Sequence, residues 1–114
     1  MSKAQEVDSL SLEVTDAGLK LDGNLLFSTV SPVLNEGESL LKNTFLDDDK
    51  TDSINIDLSG VDKIDSAGIS LLLAWKRLCE RANKQFQIVS ANRQAISLIT
   101  TNKLEKLLNI PLPK

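Results

Sequence analysis

The chain has 114 residues, enough for one domain, with 13 lysines and arginines against 16 aspartates and glutamates, a net charge of −3 and a sequence pI near 4.9. That balance argues against a nucleic-acid partner, which calls for a basic footprint, and against electrostatic adhesion to anionic lipid. With no histidine in the sequence, Ser-His-Asp hydrolysis and histidine-ligated metal sites are excluded.

Residues 1–8 read as a short polar tail, and 9–114 as a single domain. Leu10, Leu12 and Val14 alternate with Ser11, Glu13 and Thr15, the period of a half-buried strand. Asp16-Ala17-Gly18 reads as a turn. Leu19, Leu21, Leu25 and Phe27 continue the sheet past a bend at Asp22-Gly23-Asn24. The two strands are close enough to form an antiparallel hairpin. Ser31-Pro32 reads as a helix start, serine capping and proline at the first helical position. Val33, Leu34, Leu40, Leu41 and Phe45 follow at helical spacing, and Gly37 among them suits close packing. Asp47-Asp48-Asp49-Lys50 reads as a solvated loop, since it lacks the alternation of a calcium-binding loop.

Ile54, Ile56 and Leu58 form the next strand, which Ser59-Gly60 is expected to break, with Val61 and Ile64 pinning the turn. A helix follows from about Ser66 to Ala82. Cys79 on it reads as a buried small hydrophobe. Phe86, Ile88 and Val89 give a further strand, and Ala95, Ile96, Leu98 and Ile99 a third helix. Asn102 with Glu105 reads as a capping box for a last short helix, ended by Pro111 and Pro113. The order β-β-α-β-α-β-α-α predicts an α/β fold with right-handed crossovers. No apolar run reaches the roughly 20 residues of a membrane helix, and the opening MSKAQEVDSLSLEV has no signal-peptide core. The expectation is a cytoplasmic protein without direct membrane insertion.

The stretch Ile64-Asp65-Ser66-Ala67-Gly68 lies where a strand turns into a helix, a common place for function in α/β proteins. It is neither a P-loop, nor a dinucleotide fingerprint, nor a nucleophile elbow, because each needs glycines this turn lacks. The plain reading is that Asp65 or Ser66 caps the helix. The functional reading is a phosphorylation switch. A phosphate on Ser66 would meet the positive end of the helix dipole and add nearly two negative charges beside Asp65.

The whole run DLSGVDKIDSAGISLLL resembles the signature of STAS domains, the fold of sulfate-transporter tails and anti-sigma-factor antagonists. The resemblance covers the chain from about Ser9 onward. It implies a STAS-like α/β fold, a mixed sheet of about four strands with helices packed on it. In the antagonists the serine after that aspartate is phosphorylated by a partner kinase, a position occupied here by Ser66. The resemblance makes Asp65 the neighbouring carboxylate and Gly68 a point of close partner approach. Two branches compete. One is the antagonist, which binds an anti-sigma factor that is a serine kinase. The other is the small STAS subunit of the lipid-asymmetry-maintenance (Mla) ABC transporter, which binds the cytoplasmic ATPase subunit. Ser31-Pro32-Val33-Leu34 and the leucine-rich, proline-ended stretch from Asn92 to Pro113 are similar to the second branch. Serine rather than threonine at position 66 keeps the first in play.

On a helical wheel Leu72, Trp75 and Cys79 share one side, with Leu71 and Leu78 at one edge and Ile69 and Leu73 at the other. This arc is wider than the stripe a surface helix needs. The STAS resemblance implies a core stripe through Ile69, Leu72 and Cys79, which leaves Leu71, Trp75 and Leu78 nearer a rim open to a partner; otherwise neighbouring helices cover them and Trp75 is core. The expected partner surface is Asp65, Ser66, Ala67, Gly68, Ile69, Leu71 and Trp75. No catalytic residue, metal ligand or cofactor is expected. An enzyme built on Asp57, Asp62 and Asp65, with a divalent metal, is the alternative from another class, although strand-end and turn roles account for those acids. The resulting expectation is a non-catalytic STAS subunit at the cytoplasmic side of the inner membrane, held there by an ABC transporter ATPase. The alternative is a phospho-switched anti-sigma-factor antagonist.

Overall fold

A computed structural model describes residues 9–101 and 103. The opening alternation becomes β1 (Leu10–Val14) and β2 (Gly18–Leu25). They pair antiparallel, Leu12 opposite Leu21 and Val14 opposite Leu19, so their leucines share one face. The hairpin turn is closed by the Thr15 N–H donating to the Gly18 carbonyl at 2.8 Å. Then come α1 (Val30–Leu41), which runs into a π-helical turn at Lys42–Leu46, and β3 (Ser53–Ile64). They are followed by α2 (Ser66–Arg81), β4 (Gln85–Ala91) and α3 (Arg93–Thr101). The sheet order is β1-β2-β3-β4, with β2-β3 and β3-β4 parallel. This is the mixed four-stranded α/β arrangement the alternation predicts.

Alternate positions decide which face carries the core. Leu19, Ile56 and Ile88 lie side by side across three strands and are buried. The intervening row, Lys20 beside Asp57, is only half-buried. Val33, Gly37 and Leu41 give α1 one buried stripe at i, i+4 and i+8, and Leu72, Trp75 and Cys79 give α2 one at i, i+3 and i+7. Ala95 and Ile99 of α3 complete the same cluster.

Trp75 is core, not rim. It is 0% exposed, and its indole Nε1 donates to the Leu34 carbonyl at 3.3 Å. The reason lies on α1. A Cβ at Gly37 would stand 2.1 Å from the Trp75 ring, so only glycine lets α1 close over the tryptophan.

Three other expectations change. Helix α1 begins after Thr29, not at Ser31. Pro32 is therefore its third residue, where a missing N–H does no harm because first-turn N–H groups have no intrahelical acceptor. Ser59-Gly60 does not end β3. The strand continues to Ile64 through register shifts against β2, which carry the buried positions from Leu58 to Val61 and Ile64. A further shift between β3 and β4 gives β4 an extra residue after Ile88, and Val89 is left 40% exposed. Asp47, Asp48 and Asp49 are exposed, as expected of a solvated loop, and Asp48 accepts from the Lys50 N–H and the Thr51 hydroxyl at 3.0 Å each. The expected last helix, with Asn102 and Glu105, lies outside the described residues.

Candidate partner-binding surface at the start of α2

Strands β2 and β3 run parallel and end side by side, Leu25 opposite Ile64. Each then leads into a helix, β2 through residues 26–29 into α1 and β3 through Asp65 into α2. Both helix N-termini therefore lie at the carboxyl end of the parallel strands, where open α/β sheets bind their ligands.

Asp65 organises this junction. Its backbone N–H donates to the Leu25 carbonyl at 3.2 Å. Its Oδ1 accepts from the Ala67 and Gly68 N–H groups at 2.9 and 3.1 Å, so Asp65, not Ser66, is the cap of α2. Its Oδ2 accepts from the Phe27 N–H at 3.0 Å. One carboxylate thus caps α2 and holds the loop that leads into α1.

That loop is fixed at its other end by Thr29. The buried Thr29 hydroxyl accepts from the Leu26 N–H at 2.9 Å and donates to the Asn24 carbonyl at 2.6 Å. The ring it presents was not singled out by sequence patterning. Phe27 is 83% exposed, beyond any other large apolar side chain among the described residues. Alternation reads Leu25 and Phe27 as one strand, yet β2 stops at Leu25 and Phe27 sits in the turn. The available signal was the break of alternation at Leu26-Phe27 before Ser28-Thr29.

Ser66 is the first residue of α2 and is exposed. Its carbonyl accepts from the Ser70 hydroxyl at 3.0 Å. Ala67 is half-buried. The remaining members of the expected surface turn inward. A Cβ on Gly68 would lie 2.5 Å from the Leu25 carbonyl oxygen and 2.8 Å from Ile64, so this glycine admits the chain's own strands rather than a partner. Ile69 is 6% exposed and Leu71 2%, both covered within the core. The geometry therefore brings Asp65, Ser66 and Ala67 to the surface with Phe27, and withdraws Gly68, Ile69, Leu71 and Trp75 from it. Neither α1 nor α2 carries an acidic residue in its first turn, so the positive ends of both helix dipoles are left uncompensated except by the Asp65 cap.

The three acids of the enzyme alternative do not gather. Asp65 is engaged as described, Asp62 is exposed, and Asp57 Oδ1 accepts from the Ser59 N–H at 2.8 Å. Among the described residues no three His, Cys, Asp or Glu side chains come together as a metal site. A groove of about 600 Å³ lies between Ile64 and Arg93, Ser97 and Thr101 of α3, and among the described residues no carboxylate lines it. No helix among the described residues is long and apolar enough to cross a membrane.

The family model described as "Mlab, STAS domain" matches residues 9–109. Among solved structures, the chain is similar to the murine Solute Carrier 26 family member A9 anion transporter in its inward-facing state, with a TM-score of 0.60 and 16% identity over 90% of this chain. The chain spans 20% of that transporter's length, and the likeness is one of fold. No curated protein matches the chain significantly. With the family model covering nearly the whole fold, the chain belongs to the STAS domain family, of the Mlab type.

Proposed function

We propose that this chain is a non-catalytic binding module, the STAS subunit of an Mla-type phospholipid-trafficking ABC transporter that maintains outer-membrane lipid asymmetry. It binds the transporter's cytoplasmic ATPase subunit and stabilises or regulates it through the surface at the start of α2. ATP hydrolysis belongs to the partner, and the chain is peripheral to the inner membrane only through that partner. The functional domain in this reading is 9–114, with 1–8 as a tail. The observation that carries the reading is the match of the Mlab-type model across residues 9–109. The geometry supports a site for it, since Ser66 is exposed and the cap of α2 is supplied by Asp65 alone.

One observation favours a second reading. Residue 66 is an exposed serine at a helix start, and a phosphate there would add nearly two negative charges to the surface. That is the arrangement of an antagonist switched by the kinase activity of an anti-sigma factor. Affinity purification from solubilised membranes and from cytosol, with wild type and Ser66→Asp in parallel, separates the two. Recovery of an ABC ATPase with its permease, lost in the variant, is the expected result. Recovery of a soluble serine kinase that phosphorylates Ser66 would move the protein to the second reading.

A further inference from the structure

We infer that Phe27 is the apolar anchor of the partner interface, and that Asp65 and Thr29 are positioning residues that hold it out for binding. The inference rests on the transporter reading and adds to it the chemistry of the contact. An aromatic ring that is 83% exposed gains nothing from the fold of its own chain. Its backbone is nevertheless tied down from both sides, by Asp65 Oδ2 on the Phe27 N–H and by the Thr29 hydroxyl on Leu26 and Asn24. A ring presented on an ordered turn loses little freedom on binding, and buried aromatic anchors dominate interface energies.

The surroundings identify the occupant. Residues 24–41 and 64–75 contain no lysine or arginine, and the exposed Lys63 and Arg93 at their margin fall short of the roughly four to eight clustered cations that hold an anionic lipid headgroup. Next to Phe27 in the chain is the exposed Ser28, and the exposed Ser66 adjoins the Asp65 that accepts from the Phe27 N–H. An apolar knob edged by hydroxyls and by helix N-termini fits a folded protein surface. The complementary site is an apolar pocket for one aromatic ring, rimmed by hydrogen-bond acceptors. The partner is the ATPase subunit, and Phe27 continues the Ser66 surface toward it.

The test titrates the full chain against the purified ATPase subunit of the Mla-type transporter from the same organism, by calorimetry. Variants are Phe27→Ala and, as a control at an exposed apolar position on β1, Val14→Ala. Wild type and Val14→Ala binding alike, with Phe27→Ala weaker by about tenfold or more, is the expected result for an anchor residue. Both proteins should melt with the wild type, because neither side chain is buried. Wild-type binding with Phe27→Ala within twofold of it overturns the anchor and leaves the transporter reading standing. Failure of the wild type to bind the ATPase overturns both. Unchanged ATPase affinity with loss of a homodimer, read by sedimentation, or of binding to anionic phospholipid vesicles would assign the ring to another occupant and overturn the inference.

Discussion

Asparagine at position 65 separates two roles that alanine removes together. In the wild type Oδ1 serves the N–H groups of Ala67 and Gly68, and Oδ2 serves the N–H of Phe27. Asparagine keeps an oxygen for the helix and caps about as well as aspartate. Its amide NH₂ then meets the Phe27 N–H, a donor facing a donor. The lost bond is exposed and contributes about 1 kcal/mol, and the lost charge at the helix N-terminus about 0.5 kcal/mol. Asp65→Ala forfeits in addition a cap worth about 1 kcal/mol. With about 4 °C in Tm per kcal/mol for a domain of this size, asparagine should lower Tm by about 6 °C and alanine by about 10 °C. Thermal melts give these shifts, and amide NMR locates them. The Phe27 amide should move and lose protection in both variants, and the Ala67 and Gly68 amides in the alanine variant only. Two variants with the same melt, or a Phe27 amide unmoved by asparagine, would refute the assignment of one oxygen to each role.

Gly37→Ala sets helix propensity against packing. Alanine gains about 1 kcal/mol in a helix interior, but its Cβ would fall 2.1 Å from the ring of a fully buried Trp75, and overpacking costs about 1–3 kcal/mol. A lower denaturant midpoint at unchanged m is expected; a higher midpoint would mean the ring yields freely. At Cys79, burial pushes the thiol from 9.0 up to about 11, with the Glu80 carboxylate adding to the rise. The neutral thiol is favoured in the folded chain, so this contribution to stability is whole below pH 9 and is lost as pH rises towards 11. Denaturation midpoints at pH 8 and pH 10.5 should show the decline in wild type and less of it in Cys79→Ala, and native protein should resist alkylation at pH 8.

The strand and helix order was legible because it rests on local periodicity. Leu10-Leu12-Val14 and Ile54-Ile56-Leu58 alternate, and Val33 and Leu41 repeat at helical spacing. What was not legible depends on distant neighbours. Ser59-Gly60 breaks a strand by propensity, but pairing with β2 carries β3 through to Ile64. The wheel for α2 gives the width of its apolar arc without saying what covers it. Gly37, on another helix, brings α1 over Trp75 and decides for the core at a residue the wheel left open between rim and core. The motif pointed to Asp65-Ser66 as the candidate site. The exposure of Phe27 could not be read beside it, because that follows from where β2 ends against β3.

The Asp65 clasp also determines where a charge at position 66 acts. A phosphate or aspartate there meets a helix start whose Ala67 and Gly68 N–H groups already have an acceptor in Asp65. It cannot serve as a replacement cap without displacing the carboxylate that also holds Phe27. The new charge is therefore left at the surface, next to a carboxylate of the same sign. The helix dipole offsets part of that repulsion, by about 0.3–1 kcal/mol at an exposed position. The fold absorbs the charge with little change in stability, and the surface gains negative charge beside Asp65, the residue joining Ser66 to Phe27. At this junction the half-buried Asp65 carboxylate holds the start of α2 and the loop before α1, and Ser66 and Phe27 on either side of it face out.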